Sequence, residues 1–447
     1  MGLTKATYSM IDHAPINVVD YGATGDGTTD DTAALQAAFD AAANWSSVQY
    51  AKTVYIPSGV YKTTGVLYVR PYINIQGDST GKTSIKPTIS SGPALTSDST
   101  GGLAEAYLQR FSNFTIDGTN VTGTGYGWLF KTNKNSVFEQ LRFVNFTQTA
   151  EPVVSIESAS YGMSFYNCVW ETNQAHLQVV DTDAALGLFS TTVYFTACRF
   201  DETTQNSTNG IYIRDCSDIQ FHRCIFQAMR SFYAIKIEGT ADAATGHDHI
   251  IRDCWFEDNG NGQVGSSGIY LKGVSGKPMN GCIVEGNRFH QSNVNLPTYQ
   301  LRLEYCDKLY IQFNTEGFGG TFLKNGGNNT NIYIERKAVS ASEISYPNVP
   351  VAWGSFEGKT SVTLNSVFGV SGIVRNSAGN YTVTMSQTMA NGNTAVVANA
   401  EDGSVGVPLI CVTTPINTTT FRIEVFTLGA VATDGRNISF AAFNTPS

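Results

Sequence analysis

Six short alternating segments recur along the middle of the chain: VSIE (154–157), LQVVD (177–181), GIYIRD (210–215), AIKIEG (234–239), GIYLKG (268–273) and QLRLEY (300–305). Alternation marks a strand with one buried and one outward side. Between the aliphatic positions lie Gln178, Tyr212, Lys236, Tyr270 and Arg302. The next outward places hold Glu157, Val180, Arg214, Glu238, Lys272 and Glu304. Asp181 and Asp215 follow at the entry to the turn, with Asp218 close behind. Aromatic side chains of this kind stack on sugar rings, and the charged groups engage hydroxyls and carboxylates.

Hydrolysis of a glycosidic bond takes two carboxyl groups, about 5 Å apart for retention and about 6.5–9.5 Å for inversion, one of them protonated. If the segments stack as neighbouring strands about 4.8 Å apart, Asp181 and Asp215 meet the shorter distance. Glu238 then lies diagonally on the next strand. Crowded carboxylates raise one another's pKa, so Glu238 reads as the acid and Asp215 as the base or nucleophile, with Asp181 or Asp218 as substitutes. Substrate binding falls to Tyr212, Arg214, Lys236, Tyr270, Lys272, Arg302, Glu304, Gln178 and His176. The alternating sign of Arg214, Glu238, Lys272 and Glu304 equally describes a surface ion-pair ladder.

A second acidic set, Glu171, Asp201, Glu202, Glu257 and Asp258, stands where another strand enters a variable loop. Turn chemistry is the plainer reading there. Elimination is the alternative reaction: a base takes the proton beside a carboxylate held by Arg or Lys. His176, Tyr212, Lys236, Tyr270 and Arg302 would furnish those groups, although a lone His is more often structural.

The elements that must position these residues form a repeat. YFTACRF (194–200), QFHRCIF (220–226), IIRDCWF (250–256) and SFYNCVW (164–170) share one form, which EQLRF (139–143) and VEGNRF (284–289) follow. Their marker residues, 141, 168, 198, 224, 254, 287 and then Asn314, are separated by 27, 30, 26, 30, 33 and 27. A period of that size is the signature of a solenoid. No 3.6 periodicity accompanies it, so each repeat is a coil of strands. Such coils stack so that equivalent residues form columns. Cys168, Cys198, Cys224 and Cys254 hold the marker position, as small buried apolar residues do. No C-x-x-C pair and no D-x-D-x-D-G loop occurs, and the residues point to no metal and no cofactor.

Of the 447 residues 42% are hydrophobic and 15% charged, which suits a continuous core and opposes disorder. Net charge is −9 without any Lys/Arg-rich run, so nucleic acid and anionic membranes are poor partners. No stretch reaches the roughly 20 apolar residues of a membrane span. MGLTKATYSMIDHAP lacks the apolar core of a signal peptide, which leads us to expect no export by that route. Residues 1–15 read as a stem or connector. INVVDYGA (16–23), a GDGTTDD turn and a helix from about Thr32 to Ala43 form the cap that a solenoid end requires. Asp26, Asp30 and Asp31 read as turn and capping residues. After about residue 345 the repeat stops: SYPNVPVAWGSFEG reads as a linker, and alternating strands between Gly/Asn/Thr turns follow.

NVVDYGATGDGTTDDTAALQAAFDAA followed by VYIPSGVY resembles the opening of the pectate-lyase-superfamily domain of bacteriophage tailspikes and capsule depolymerases. With the repeats, the resemblance covers about residues 16–345. It implies a right-handed parallel β-helix (16–345) with an N-terminal capping helix; the alternating strands beyond it read as a C-terminal antiparallel β-sandwich (346–447), making the chain all-β, and similar modules of phage tail proteins serve trimerisation or sugar binding. It further implies a homotrimer in the virion tail, joined to tail or baseplate proteins. Such a spike binds capsular polysaccharide or lipopolysaccharide O-antigen at the bacterial surface. Members of that family are endoglycosidases, lyases and esterases, so the resemblance does not choose the reaction. Endoglycosidic hydrolysis is the reading that the paired carboxylates favour, with a lyase or a non-catalytic receptor-binding spike as alternatives.

Overall fold

The computed structural model describes residues 14–444 apart from 44–51, 98–105, 158, 182–189, 204–207, 241–246, 261, 291–296, 313, 317–320, 336–349, 360, 387–393 and 402–408. The chain forms two units, Met1–Lys337 and Ala338–Ser447. The expected boundary at 345 and most of the expected stem (1–13) lie outside the described residues.

The first unit is a parallel β-helix. Each rung lays down three strands in turn, such as Ser217–His222, Ile225–Met229 and Tyr233–Glu238. Each strand pairs in parallel with its counterparts one rung before and one rung after. We call the three sheets faces 1, 2 and 3 in that order. The repeated segments of alternating sequence are face 3, and the segments ending in the Cys–x–aromatic marker run from face 1 into face 2.

Inward residues stand in the columns that the repeat predicts. On face 1, Phe111, Phe138, Phe165, Phe195 and Phe221 stack with centroids 4.3–5.0 Å apart. On face 2, Phe143, Trp170, Phe200, Phe226, Phe256 and Phe289 do the same at 4.6–5.2 Å. Ile213, Ile237, Leu271 and Leu303 fill face 3 in register. Each such side chain contributes about 1.5–3 kcal/mol by leaving water. Cys168, Cys198, Cys224 and Cys254 are buried free thiols, each with Sγ against a carbonyl of the rung before.

The corner between faces 1 and 2 is two residues long in seven consecutive rungs, from Asn113–Phe114 to Gly286–Asn287. Its first residue (Asn113, Gln140, Asn167, Ala197, Arg223, Asp253, Gly286) is left-handed every time, with φ between +50° and +66°. So sharp a reversal has no room for an ordinary φ, and stacking repeats the solution regardless of residue type. A second left-handed column, Asn145, Thr172, Glu202, Ala228 and Asp258, kinks face 2 just past its aromatic. The residue after each kink turns inward, and buried Asn259 there accepts Met229 N–H (3.0 Å) and donates to the Phe226 carbonyl (2.8 Å). Asn173 brackets Phe146 and Phe143 in the same way.

Thr32–Ala42 is the helix that covers the first rungs, burying Leu35, Ala38, Phe39 and Ala42. Asp30 accepts Thr32 N–H at 3.0 Å, a capping contact. Asp31 instead turns back to the amides of Thr24 (2.7 Å) and Gly25 (3.2 Å). Asp26 closes its own turn on Thr28 and Thr29, whose amides hold its carboxyl well below the usual range. The second unit pairs two four-stranded antiparallel sheets around one core that includes Phe356, Tyr381, Phe421 and Phe440. Most of the expected linker is in fact an interior strand, Pro350–Glu357, held between two neighbours. Its alternating Ala352/Phe356 burial was obscured by a Pro at the start and a Gly in the middle.

Asn259→Ala should lower the urea midpoint, costing about 2–4 kcal/mol because one buried amide and one buried carbonyl lose their partners. Asn259→Asp should not restore it, since a carboxylate cannot donate to Phe226. Equilibrium unfolding with hydrogen exchange at Met229 checks both.

Candidate functional site

The register of face 3 joins the two outward columns as the alternation predicts. Gln178, Tyr212, Lys236, Tyr270 and Arg302 each pair with the next along one column, and Val180, Arg214, Glu238, Lys272 and Glu304 along the other. Across the rungs they form a bonded network. Tyr212 donates its hydroxyl to Glu238, whose other oxygen pairs with Lys236 Nζ at 2.7 Å. Two rungs on, Tyr270 donates to Glu304 at 2.7 Å, and Arg302 grips the same carboxylate. Lys236 lies 5.2 Å from the Tyr212 ring and Arg302 4.6 Å from the Tyr270 ring. Gln178 donates to Ser155 Oγ at 2.7 Å.

This arrangement corrects several expected roles. Burial pushes the Glu238 carboxyl up, but Lys236 and Tyr212 outweigh it and hold the group below the ordinary carboxylate range. An ionised Glu238 is the wrong state for a proton donor. Tyr270 is 4% exposed under Arg302 and Tyr233, so its ring offers no stacking platform. His176 points into the core beside Asn173 and Phe200, where burial lowers its pKa to about 3. It reaches neither a glycan nor a proton to abstract.

The aspartates at the corner after face 3 are also drawn inward. Asp215 is left-handed and accepts the amide (2.6 Å) and hydroxyl (2.9 Å) of Thr240, which fastens the next corner. Asp181 stands one rung earlier and is buried with it. Both carboxyls lie near the buried Cys216 thiol and, with desolvation as the larger cause, push its pKa up. Asp218 has passed onto face 1, where Tyr194 (3.0 Å) and Gln220 donate to it. Asp218 is thus on another face, and Asp215, on the rung beside Glu238, has its carboxyl turned to Thr240.

Face 2 gathers the other acids. Its outward column runs Val144, Glu171, Asp201, Gln227, Glu257, His290 in register. Glu202 and Asp258 are the left-handed kink residues that follow, so turn geometry accounts for them. Glu171 and Asp201 sit on adjacent rungs, about 4.8 Å apart in backbone. Arg142 holds Glu171 by an ion pair of 2.6 Å. Asp201 is 6% exposed and its pKa is raised, chiefly by burial; Glu202 and Glu171 add to this and Arg199 opposes it. Trp255 donates Nε1–H to Glu257 at 3.0 Å, with its ring 5.8 Å from that of His290. Arg142, Arg199 and Trp255 all occupy the place directly after the marker residue, a column that was readable in the repeat.

Residues 15–226 match the family model of rhamnogalacturonase A/epimerase, pectate lyase-like proteins. The pectate lyase-like stretch spans the cap and the early rungs through Phe226, and bears out the resemblance of the opening motif. Mannuronan C5-epimerase AlgE2 of Azotobacter vinelandii is 39% identical over 129 residues, 25% of this chain and 12% of that protein. The chain covers only a small part of the curated relatives it matches. Among solved structures, the surface adhesin PfbA of Streptococcus pneumoniae aligns over 72% of this chain and 100% of its own, at 14% identity and a TM-score of 0.50. The Dettilon tailspike aligns over 96% and 93%, at 13% identity and a TM-score of 0.49.

Glu238 has a folded pKa below its ordinary 4.5, so its network stabilises the protein above that pH and the gain is lost as pH falls through the folded value. Glu238→Gln should cost about 2 kcal/mol at pH 7. The gap between variant and parent should close on acidification below 4.5; urea unfolding at several pH values measures it.

Proposed function

We propose that the chain degrades a bacterial surface polysaccharide by glycosidic hydrolysis on face 2, with Asp201 as proton donor and Glu171 as nucleophile. The observation that carries this reading is the pair itself: two carboxyls in register on adjacent rungs, Glu171 held by Arg142 and Asp201 buried. Arg142 fixes Glu171 by its ion pair, while desolvation favours the protonated form at Asp201. A separation of about 5 Å suits retention through a covalent glycosyl intermediate. Arg199 lies over Asp201 with its own side chain half exposed, so an entering sugar meets the guanidinium first and uncovers the acid as it displaces it. Glu257, two rungs from Asp201 and beside Trp255, is the neighbouring subsite.

The pectate lyase-like match and the opening motif support a polysaccharide as the substrate. On this reading the chain is the working part of a homotrimeric phage spike that meets capsule or O-antigen at the cell surface. Trimerisation falls to the second unit.

Incubation with capsule or lipopolysaccharide from host strains should release new reducing ends without the ultraviolet absorbance of an unsaturated uronate. Asp201→Asn and Glu171→Gln should each lose about 10²–10⁴-fold in rate, and Glu238→Gln much less. Absorbance appearing with the new ends would convert the reaction to elimination. Full activity in both face 2 variants would remove the site.

A further inference from the structure

One side of the second unit consists of two open sheet edges. Among the described residues, Thr363–Phe368 is the last strand of one four-stranded sheet and Val370–Ser377 the last of the other. Gly369, left-handed at φ +66°, is the whole connection between them, so the two edges lie side by side. The opposite side is tied shut: Thr413 Oγ1, on Ile410–Pro415, donates to the Val396 carbonyl of Thr394–Glu401 at 2.8 Å. An edge strand leaves alternate amides and carbonyls without a partner strand, and chains usually defend it with charge or proline. Residues 361–374 contain neither. Leu364, Phe368 and Val374 stand exposed on these strands. Phe368 carries the apolar surface on to exposed Trp353, whose ring centroid lies 6.1 Å from its own. Extra residues at Asn365, Ser371 and Asn376 interrupt the pairing to the inner strands and leave 366–368 and 372–375 as regular stretches. Gly372 opens the second stretch. Its φ is not left-handed, and a Cβ there would meet no described atom within 4 Å. Among the described residues nothing calls for a glycine at this place, whereas the close approach of another backbone does.

We infer that these edges pair between copies of the chain, 366–368 of one copy beside 372–375 of the next, in a closed ring of three. The inference rests on the trimeric reading above and names the surface by which that trimer forms. A second copy is the occupant the edges fit. Copies that each carry a net charge of −9 repel one another, and the uncharged run 361–374 is where two of them can approach. Each copy offers one edge from each sheet, and the two differ in sequence. Pairing unlike edges is a heterologous contact, which run round three copies uses every one of these edges. Pairing each edge with its own kind would give two-fold dimers instead.

Light scattering and native mass spectrometry of the full chain count the copies, and hydrogen exchange reads the amides of 363–377. The parent should be a trimer with slow exchange at 366–368 and 372–375. Gly372→Val adds a branched side chain for which a single chain has room and an approaching strand does not. It should give a folded monomer with the parent's circular dichroism and exchange at least tenfold faster in both stretches. Leu364→Lys combined with Val374→Lys puts charge on two exposed edge positions and should do the same. Should either variant fail to fold, the other decides. Val397→Lys, exposed on the opposite side of the unit, should stay trimeric. A monomeric or dimeric parent overturns the inference together with the trimeric reading. A trimeric parent overturns the inference alone if a folded edge variant remains a trimer, if Val397→Lys dissociates as the edge variants do, or if 366–368 and 372–375 exchange freely. The face 2 pair lies in the other unit, and its hydrolysis assay is read separately.

Discussion

Everything in the first unit follows from one repeated hydrogen-bond step. Each strand satisfies its amides and carbonyls on the rungs before and after, about 4.8 Å away, with no freedom to slip. A shift of one residue would send every Phe of faces 1 and 2 outward, so the aromatic stacks and the ladder hold each other in register. The outward columns inherit this order passively. A charge placed on one rung meets whatever the next rung presents, at a distance the backbone has already chosen.

The two acid-bearing surfaces differ in how they use that fixed distance. On face 3 the neighbours of each Glu are a hydroxyl and a cation, and a half-buried carboxylate so surrounded stays charged in spite of its desolvation. On face 2 the neighbours of Asp201 include Glu171 and Glu202, and the single Arg199 does not offset burial. The same spacing thus gives shifts in opposite directions: at Glu238 the side-chain partners Lys236 and Tyr212 outweigh desolvation, and at Asp201 desolvation prevails. Paired carboxyls alone do not make a site; the column in which they stand does.

The columns were legible because strand alternation and the marker spacing are independent signals that agree. Ile211, Ile213 and their counterparts point inward as the pattern requires, and Tyr212 and Lys236 meet as expected. Corners were not legible. Asp181, Asp215 and Asp218 looked like one acidic group in sequence, yet two left-handed residues within four positions carry the chain across an edge and send Asp218 to another face. His176 precedes its strand by one residue, where sequence does not reveal which way the chain enters. The protonation of Glu238 hinged on Tyr212 and Lys236 both reaching it, a matter of rotamers. In the second unit, Pro350 and Gly354 hid a strand because both residues usually end one.

The two-residue corner between faces 1 and 2 also governs where the chain is free to change length. Seven rungs share it without an inserted residue, while the other two corners range from the single Tyr305 to stretches of ten residues and more. Rungs of unequal length therefore stay aligned, because all surplus is shed at two edges and none at the third. That third edge is a keel: a straight spine along which the helix accepts new residues on either flank without losing its count.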